Sequence, residues 1–226
     1  MPTALLSAYD KTGIDDFATE LWRRGWKLIA SGGTAHAIAG IGLPVTNVAD
    51  VIRDATRHTI KRVLDRLTIV VEDELLSKLM CEEQIGEPIL NHRVVTLSRE
   101  VHGGLLARIL AEDQATLKRE GIPWIDLVYV NLYPLGQALA RPDKTLDSVL
   151  EMTDIGGPAV IMAAVKGQRF VVCEHGQISQ VYGYLRGTIP ADELKTSLRM
   201  VAVRHVATYY RLLGHYFRDE YQKITQ

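Results

Sequence analysis

Twice within its first 40 residues the chain runs through a short apolar segment, stops at a polar or glycine-rich turn, and continues at helical spacing. The first segment, Ala4-Leu5-Leu6-Ser7-Ala8, ends in Tyr9-Asp10-Lys11-Thr12-Gly13. Ile14, Phe17, Ala18 and Leu21 then recur three or four apart, and Gly25 stops that helix. The second segment, 26–30, ends in Ser31-Gly32-Gly33-Thr34 ahead of a helix over 35–40, and a third strand is expected over 43–48. Strand, turn and helix in alternation predict an α/β fold: a three-layer, mostly parallel central sheet flanked by helices. Ligands of such sheets bind beyond the carboxyl ends of the strands, where both polar turns lie.

Residues 52–87 break the alternation. They are rich in charge, with one apolar stripe at Ile60, Val63, Leu64 and Leu67 and another at Leu75, Leu76, Leu79 and Met80. A helical insertion packed on the domain hides such stripes, and a partner-binding hairpin or a lid is the alternative. Further on, the pattern predicts a helix over 111–120, an apolar strand over 125–130 at the sheet centre, and helices over 146–152 and 159–165. A strand over 169–173 and two closing helices, near 177–187 and 191–222, complete a single domain of residues 1–226.

Composition removes several function classes. Lys plus Arg number 26 against 27 for Asp plus Glu, so bulk charge does not grip nucleic acid and any anion must meet a local site. Cys81 and Cys173 form no CxxC, which argues against a zinc or disulfide framework and for reduced, mostly buried thiols. No stretch reads as apolar over the length of a bilayer, and the start of the chain lacks the basic region of a signal peptide. A cytoplasmic protein without membrane or metal is expected.

Several motifs carry chemistry. Ser31-Gly32-Gly33-Thr34 lets backbone amides approach a ligand at a helix start, which favours an anion; a tight turn without ligand reads the same. In Asp10-Lys11-Thr12-Gly13, Lys11 offers a point charge and Thr12 a hydroxyl, or Lys11 is merely solvated. Two such turns at successive strand ends strengthen the case for a phosphorylated ligand. Asp154-Ile155-Gly156-Gly157-Pro158 places a carboxylate before a helix start, which is also what a helix cap looks like. Lys166 lies twelve residues on, and a Lys at a helix end can be only a charge–dipole contact. Tyr133 follows the central strand. The stretch NHRVVTLSREVHGG mixes Arg93, Thr96 and His102-Gly103-Gly104 in the manner of an anion-holding loop.

These motifs, in this order, resemble the inosine monophosphate cyclohydrolase domain of the bifunctional purine-synthesis enzyme, which has a methylglyoxal-synthase-like fold. That family reads approximately S-x-S-D-K-T-G, S/T-G-G-T-A, G-R-V-K-T-L-H-P-x-x-H-x-G-I-L, N-L-Y-P-F, D-I-G-G and A-A-A-K-N. This chain reads SAYDKTG, SGGTA, HRVVTLSREVHGGLL, NLYPL, DIGGP and AAVKG, from Ala4 to the C-terminal helix, with 52–87 unmatched. The resemblance implies a hydrolase of the cyclic-amidine C–N class that forms inosine monophosphate from the formamido-imidazole-carboxamide ribotide without cofactor or metal. It implies a purine monophosphate or imidazole carboxamide ribotide as ligand and a homodimer. By the same resemblance Ser7, Asp10, Lys11, Thr12, Ser31, Gly32, Gly33 and Thr34 hold phosphate and ribose, with Arg93 and Thr96 lining the pocket. Asn131 and Tyr133 face the base, and Tyr133 donates to the developing oxyanion. Asp154 orients or deprotonates the carboxamide beside the Ile155 and Gly156 backbone, and Lys166 is the acid–base lysine.

The departures are local. The lysine of R-V-K-T is Val95, the L-H-P step is Leu97-Ser98-Arg99, and the second serine of S-x-S is Tyr9. In the family that lysine acts with the tyrosine on the oxyanion, and losing one such donor costs about 10²–10³ in rate. Arg99 or a residue of the insertion is the expected substitute. Two other readings stay open: a cyclase or dehydratase for a related carboxamide nucleotide in modified-nucleoside synthesis, and a non-catalytic nucleotide-sensing module.

Overall fold

The computed structural model describes residues 1–85 and 94–225. Among them five strands form one parallel sheet: β1 (Thr3–Ala8), β2 (Lys27–Ala30), β3 (Thr46–Asn47), β4 (Leu127–Asn131) and β5 (Phe170–Val172), in the order β3-β2-β1-β4-β5. Strands alternate their side chains between faces. Leu6, Leu28, Tyr129 and Val172 therefore enter one core layer, and Leu5, Ile29, Val128 and Val171 the other. Both faces are buried, which is why these strands read as continuous apolar runs.

Helices α1 (Ile14–Arg23) and α2 (Gly32–Gly40) cover the first face; α3 (Val48–Arg66), α5 (Arg99–Leu106) and α9 (Gly156–Lys166) contribute to the second. Between them run α4 (Asp73–Glu82), α6 (Ala111–Glu120), α7 (Leu135–Ala140) and α8 (Leu146–Glu151). After β5, a short 3-10 turn at His175–Gln177 and α10 (Ile178–Leu185) lead to the long α11 (Ala191–Thr225). That helix wraps the β5 edge: Leu194 and Leu198 join the first layer, Ala202 and Val206 the second, and Tyr209 and Tyr216 pack with Leu135 and Val149. The chain moves outward from β1 to β3 and then returns to β4, so the switch point lies between β1 and β4.

Several expectations are corrected. The third strand is only Thr46–Asn47, because Pro44 brings no N–H to a ladder. The Arg99–Leu106 segment is a helix capped by Ser98, whose hydroxyl accepts from the Val101 N–H at 3.2 Å, and not a ligand loop. Its glycines serve packing: a Cβ on Gly104 would lie 2.3 Å from the Pro123 carbonyl oxygen, and one on Gly103 3.4 Å from Ile122. α9 starts three residues earlier than periodicity indicated, since the apolar face begins only after its glycine pair. Cys173 is buried, which pushes its thiol up to about 12, but Cys81 is exposed. By length and composition the stretch Leu146–Lys166 is apolar enough to cross a membrane, against expectation. The chain breaks it at Asp154, and α9 buries Val160, Ile161 and Ala164 in the second layer.

The region expected as an insertion forms most of α3 and all of α4, with 86–87 outside the described residues. The first turns of α3 belong to the core through Val48 and Val51. Farther along, Ala55 packs with Leu117 and Ile122, and Arg62 donates to Glu120 on α6 at 2.7 and 3.2 Å. The base of this hairpin is docked on the domain.

Candidate active site

The loops beyond β1, β2 and β4 meet at the carboxyl end of the sheet. Gly13 ends the first loop with a φ of 72°, and a Cβ there would fall 2.3 Å from His175 Cε1. Only glycine meets both demands. The His175 ring therefore closes on the loop and adds its charge to the influences that lower the Asp10 carboxyl, of which the Thr12 hydrogen bonds are the largest. Asp10 Oδ1 accepts from the Thr12 N–H at 2.9 Å and the Thr12 hydroxyl at 2.7 Å. Asp10 and Thr12 thus shape the turn that presents Lys11.

Lys11 is exposed and reaches back over the start of α2. A Cβ on Gly33 would sit 3.6 Å from Lys11 Cε and 3.7 Å from its Nζ. Among the described residues the ammonium's hydrogen bond is a long 3.5 Å one to the Tyr9 carbonyl. Ser31 does not cap α2; its hydroxyl pairs with that of Ser7 at 2.9 Å. The first N–H groups of α2 and the Lys11 ammonium therefore face one place, the arrangement that suits an anion. Thr34 is spoken for: it accepts from the Ala8 N–H at 2.9 Å, donates to the Ala8 carbonyl at 3.2 Å, and is 2% exposed. It ties α2 to β1 and has no free hydrogen to offer.

Asn131 is likewise committed. Its Oδ1 accepts from the N–H groups of Tyr9 (2.6 Å) and Asp10 (3.1 Å), and its Nδ2 donates to the Asp10 carbonyl (2.6 Å) and the Tyr129 hydroxyl (3.3 Å). It clamps the β1 loop to β4 rather than facing a base. A cavity of about 660 Å³ beside this clamp is lined by Tyr9, Lys11, Thr12, Asn131, Gln137 and His175, among others. Lys11 both lines this cavity and lies over Gly33.

Asp154 and Tyr133 stand next to it, joined through aromatic contact. The Tyr9 and Tyr133 rings are 5.2 Å apart and tilted by 54°. Asp154 Oδ1 accepts from the Gly157 N–H at 2.7 Å, so the carboxylate is held against the start of α9. Burial raises its carboxyl, against the lowering effect of N–H groups from Gly157 and Tyr133. Burial also raises the Tyr133 phenol, with the Asp154 charge adding to it. Tyr209 of α11 fixes the backbone here: its hydroxyl accepts from the Asp154 N–H at 2.7 Å and donates to the Met152 carbonyl at 3.2 Å. Thr96 comes so close that a Cβ on Gly156 would lie 2.8 Å from its hydroxyl oxygen. Ile155 is exposed beside it.

Three expected residues stand apart. Arg93 lies outside the described residues. Lys166 closes α9, and the ten steps of about 1.5 Å from Gly156 put it about 15 Å from the helix start that Asp154 caps, at the opposite end of the sheet. Within one chain it does not join Asp154 and Tyr133. Arg99 does not replace the missing lysine: it donates to Glu100 at 3.1 Å and to Glu120 at 3.4 Å, where Arg62 and Arg119 also converge. Sequence reasoning missed Tyr209, His175 and Gln137. For His175 a signal existed, since it lies in the short turn three residues beyond the end of β5; Tyr209, inside a long helix, had none. Among the described residues no group of three His, Cys, Asp or Glu is placed to hold a metal.

The chain is 36% identical over 227 residues to the bifunctional purine biosynthesis protein PurH of Synechococcus sp. (strain CC9605), covering 97% of this chain and 37% of the relative. It is 38% identical over 222 residues to PurH of Cyanothece sp. (strain PCC 7425 / ATCC 29141), covering 95% and 37%. The chain thus spans less than two fifths of the length of these relatives. Among solved structures, a crystal structure of ForH superimposes with a TM-score of 0.71 at 26% identity, covering 96% of this chain and 97% of that one. The family described as the MGS-like domain matches residues 13–159. With the five-stranded parallel sheet and its carboxyl-end loops, that match makes this chain a member of the MGS-like domain family.

Proposed function

We propose that this protein closes the pyrimidine ring of a formamido-imidazole-carboxamide ribotide to give inosine monophosphate and water. The observation that carries the reading is the pairing of an anion-ready corner, Lys11 over the start of α2, with the Asp154–Tyr133 pair one aromatic contact away. Similarity to PurH over nearly all of this chain supports it. The ring closes when the carboxamide nitrogen bonds to the formyl carbon and gives up a proton. The formyl oxygen gains negative charge and takes up that proton; the formamido nitrogen then loses its own proton to the departing oxygen, which leaves as water as the C=N bond forms between that nitrogen and the former formyl carbon.

Each residue then has a physical task. Lys11 and the first amides of α2 hold the 5′-phosphate and fix the geometry of an intramolecular attack. Asp154 takes the amide proton; its burial makes it a better base than an ordinary aspartate. Tyr133, like any phenol, keeps its proton at neutral pH, and its raised phenol holds it further into the alkaline range, so it can donate to the oxyanion. Thr96 and the backbone at Ile155 and Gly156 complete the wall. Lys166 has no task in this single-chain site. A cytoplasmic homodimer remains part of the proposal by similarity.

Incubation with the ribotide, followed by purine absorbance, tests the reading. Turnover that disappears in Asp154→Asn is expected; no rate above the spontaneous reaction sinks it. One observation favours a second reading, action on a related carboxamide nucleotide: Tyr9, where the family has serine, lies against Tyr133 and narrows the base end. Faster turnover of such an analogue than of the ribotide would establish that reading instead.

A further inference from the structure

A second cavity, of about 360 Å³, opens at the amino-terminal end of the sheet, beyond the far end of α9. Trp124, Phe170, Arg169, Lys166, Lys195 and Asp126 are among the residues that line it. Its centre is Arg169, which is 5% exposed. The guanidinium stacks 3.7 Å from the Trp124 ring centroid. Its Nε donates to the Leu105 carbonyl at 2.9 Å, and its Nη2 donates to the carbonyls of Gly104 and Ala107. Among the described residues Nη1 has no hydrogen-bond partner, and it is not one of the sealed unpartnered atoms. One edge of a buried guanidinium is therefore left for something that enters the cavity.

The charges around it do not balance. Arg108 turns away to Asp113 and Glu112 outside the lining. Among the described residues Lys166, Lys195 and Arg169 have no carboxylate within ion-pair distance, and Lys195 lies 5.1 Å over the Phe170 ring. Asp126 is the acidic group in the lining, and both its oxygens are engaged, by the Trp124 indole N–H at 3.0 Å and the Thr3 N–H at 2.8 Å. Three cations face one carboxylate. The lining itself is cationic, which suits a phosphate monoester, whose charge is about −1.5 to −2 near neutral pH. A planar guanidinium edge suits tetrahedral oxyanions, and ammonium groups add point charges. The aromatic walls leave room for the ester's organic part.

We propose that this cavity is a second ligand site, which takes a small phosphate monoester between the free edge of Arg169 and the ammonium groups of Lys166 and Lys195. It explains why Lys166 stands apart from Asp154. It does not depend on the reaction proposed above.

Titration by calorimetry with inorganic phosphate and with ribose 5-phosphate tests it, in a Lys11→Met background that weakens the first anion corner. Saturable binding of ribose 5-phosphate is expected, with a change in tryptophan emission that Trp124→Phe abolishes. Lys195→Glu should weaken it by about tenfold or more while leaving turnover intact. Lys166→Met serves as a second variant and should also weaken it. Stronger binding of the ester than of inorganic phosphate supports a monoester over a bare anion. Absence of saturable binding in the Lys11→Met background overturns the proposal. So does affinity unaffected by Lys195→Glu, or a Lys166→Met variant that loses turnover but binds ribose 5-phosphate as before.

Discussion

Replacing Gly157 by alanine should disable the reaction without touching a reacting group. A Cβ built there lies 2.5 Å from Leu132 Cδ2 and 2.6 Å from Asp154 Oδ2, whereas ordinary contact begins at 3.4 Å. The carboxylate must therefore retreat by 3.4 − 2.6 = 0.8 Å. It cannot retreat freely, because its other oxygen is held at 2.7 Å by the Gly157 N–H, next to the offending methyl. A misplacement near 1 Å costs on the order of 10²-fold in rate. We therefore expect kcat to fall by about 10- to 100-fold, which is about 1.4 to 2.7 kcal/mol of transition-state stabilisation. KM should change by less than about threefold, since the phosphate corner at Lys11 is untouched. Overpacking also costs about 1–3 kcal/mol of stability, so the melting temperature should drop by several degrees. Steady-state kinetics at saturating ribotide, with circular dichroism melting, measure both. A folded Gly157→Ala protein with kcat within about twofold of the parent refutes the assignment of Asp154.

Three further outcomes follow from the geometry. The acidic limb of kcat should lie above the ordinary aspartate range, because burial raises Asp154, and the rate should climb as pH rises through it. The alkaline limb should lie above the ordinary phenol range, because Tyr133 is raised as well; a pH–rate profile reads both. Lys11→Met should raise KM by about tenfold or more, with a smaller effect on kcat, and remove most of its dependence on ionic strength. Arg99→Ala and Glu120→Gln should act on stability and leave turnover within about twofold, since Arg99 turns to Glu120 and away from Asp154. Glu120 is lowered to about 2 by Arg62 first and then Arg119. Its contribution is therefore present above the ordinary value of 4.5 and lost as pH falls through about 2. The melting difference between parent and Glu120→Gln should shrink over that window.

The sheet was legible because its strands are buried on both faces, so β1, β4 and β5 stand out as apolar runs without any three-dimensional information. The two polar turns were legible for the same reason, as the places where those runs stop. Helix α5 was not, because Gly103-Gly104 looks like a ligand loop when it is a flat surface for Ile122 and the Pro123 carbonyl. Asn131 and Thr34 carry the groups a ligand would want. Only coordinates reveal that those groups are already bonded to the backbone of residues 8 to 10. Lys166 misled in another way. Motif order along the chain says nothing about which end of a helix faces the site, and an eleven-residue helix carries its last side chain across the whole sheet. Tyr209 supports Asp154 from 55 residues away, beyond any local pattern.

The substitutions at the ligand face act together on one carboxylate. Val95 packs into the second core layer beside residues such as Leu5, Val101 and Val128, so the wall where the resembling family has an ammonium is apolar here. Arg99 gives nothing back, being tied to Glu100 and Glu120. Among the described residues the influences that set Asp154 are burial and two backbone N–H groups, and no cation. A nearby ammonium would lower that carboxyl and stabilise an oxyanion at the same time. Its removal weakens the second effect and strengthens Asp154 as a base. The tilted contact of Tyr9 with Tyr133 works in the same sense, since it adds an aromatic wall beside a neutral donor rather than a charge. In the reaction proposed above, a site built this way would rely on proton removal from the carboxamide more than on charge stabilisation of the leaving oxygen.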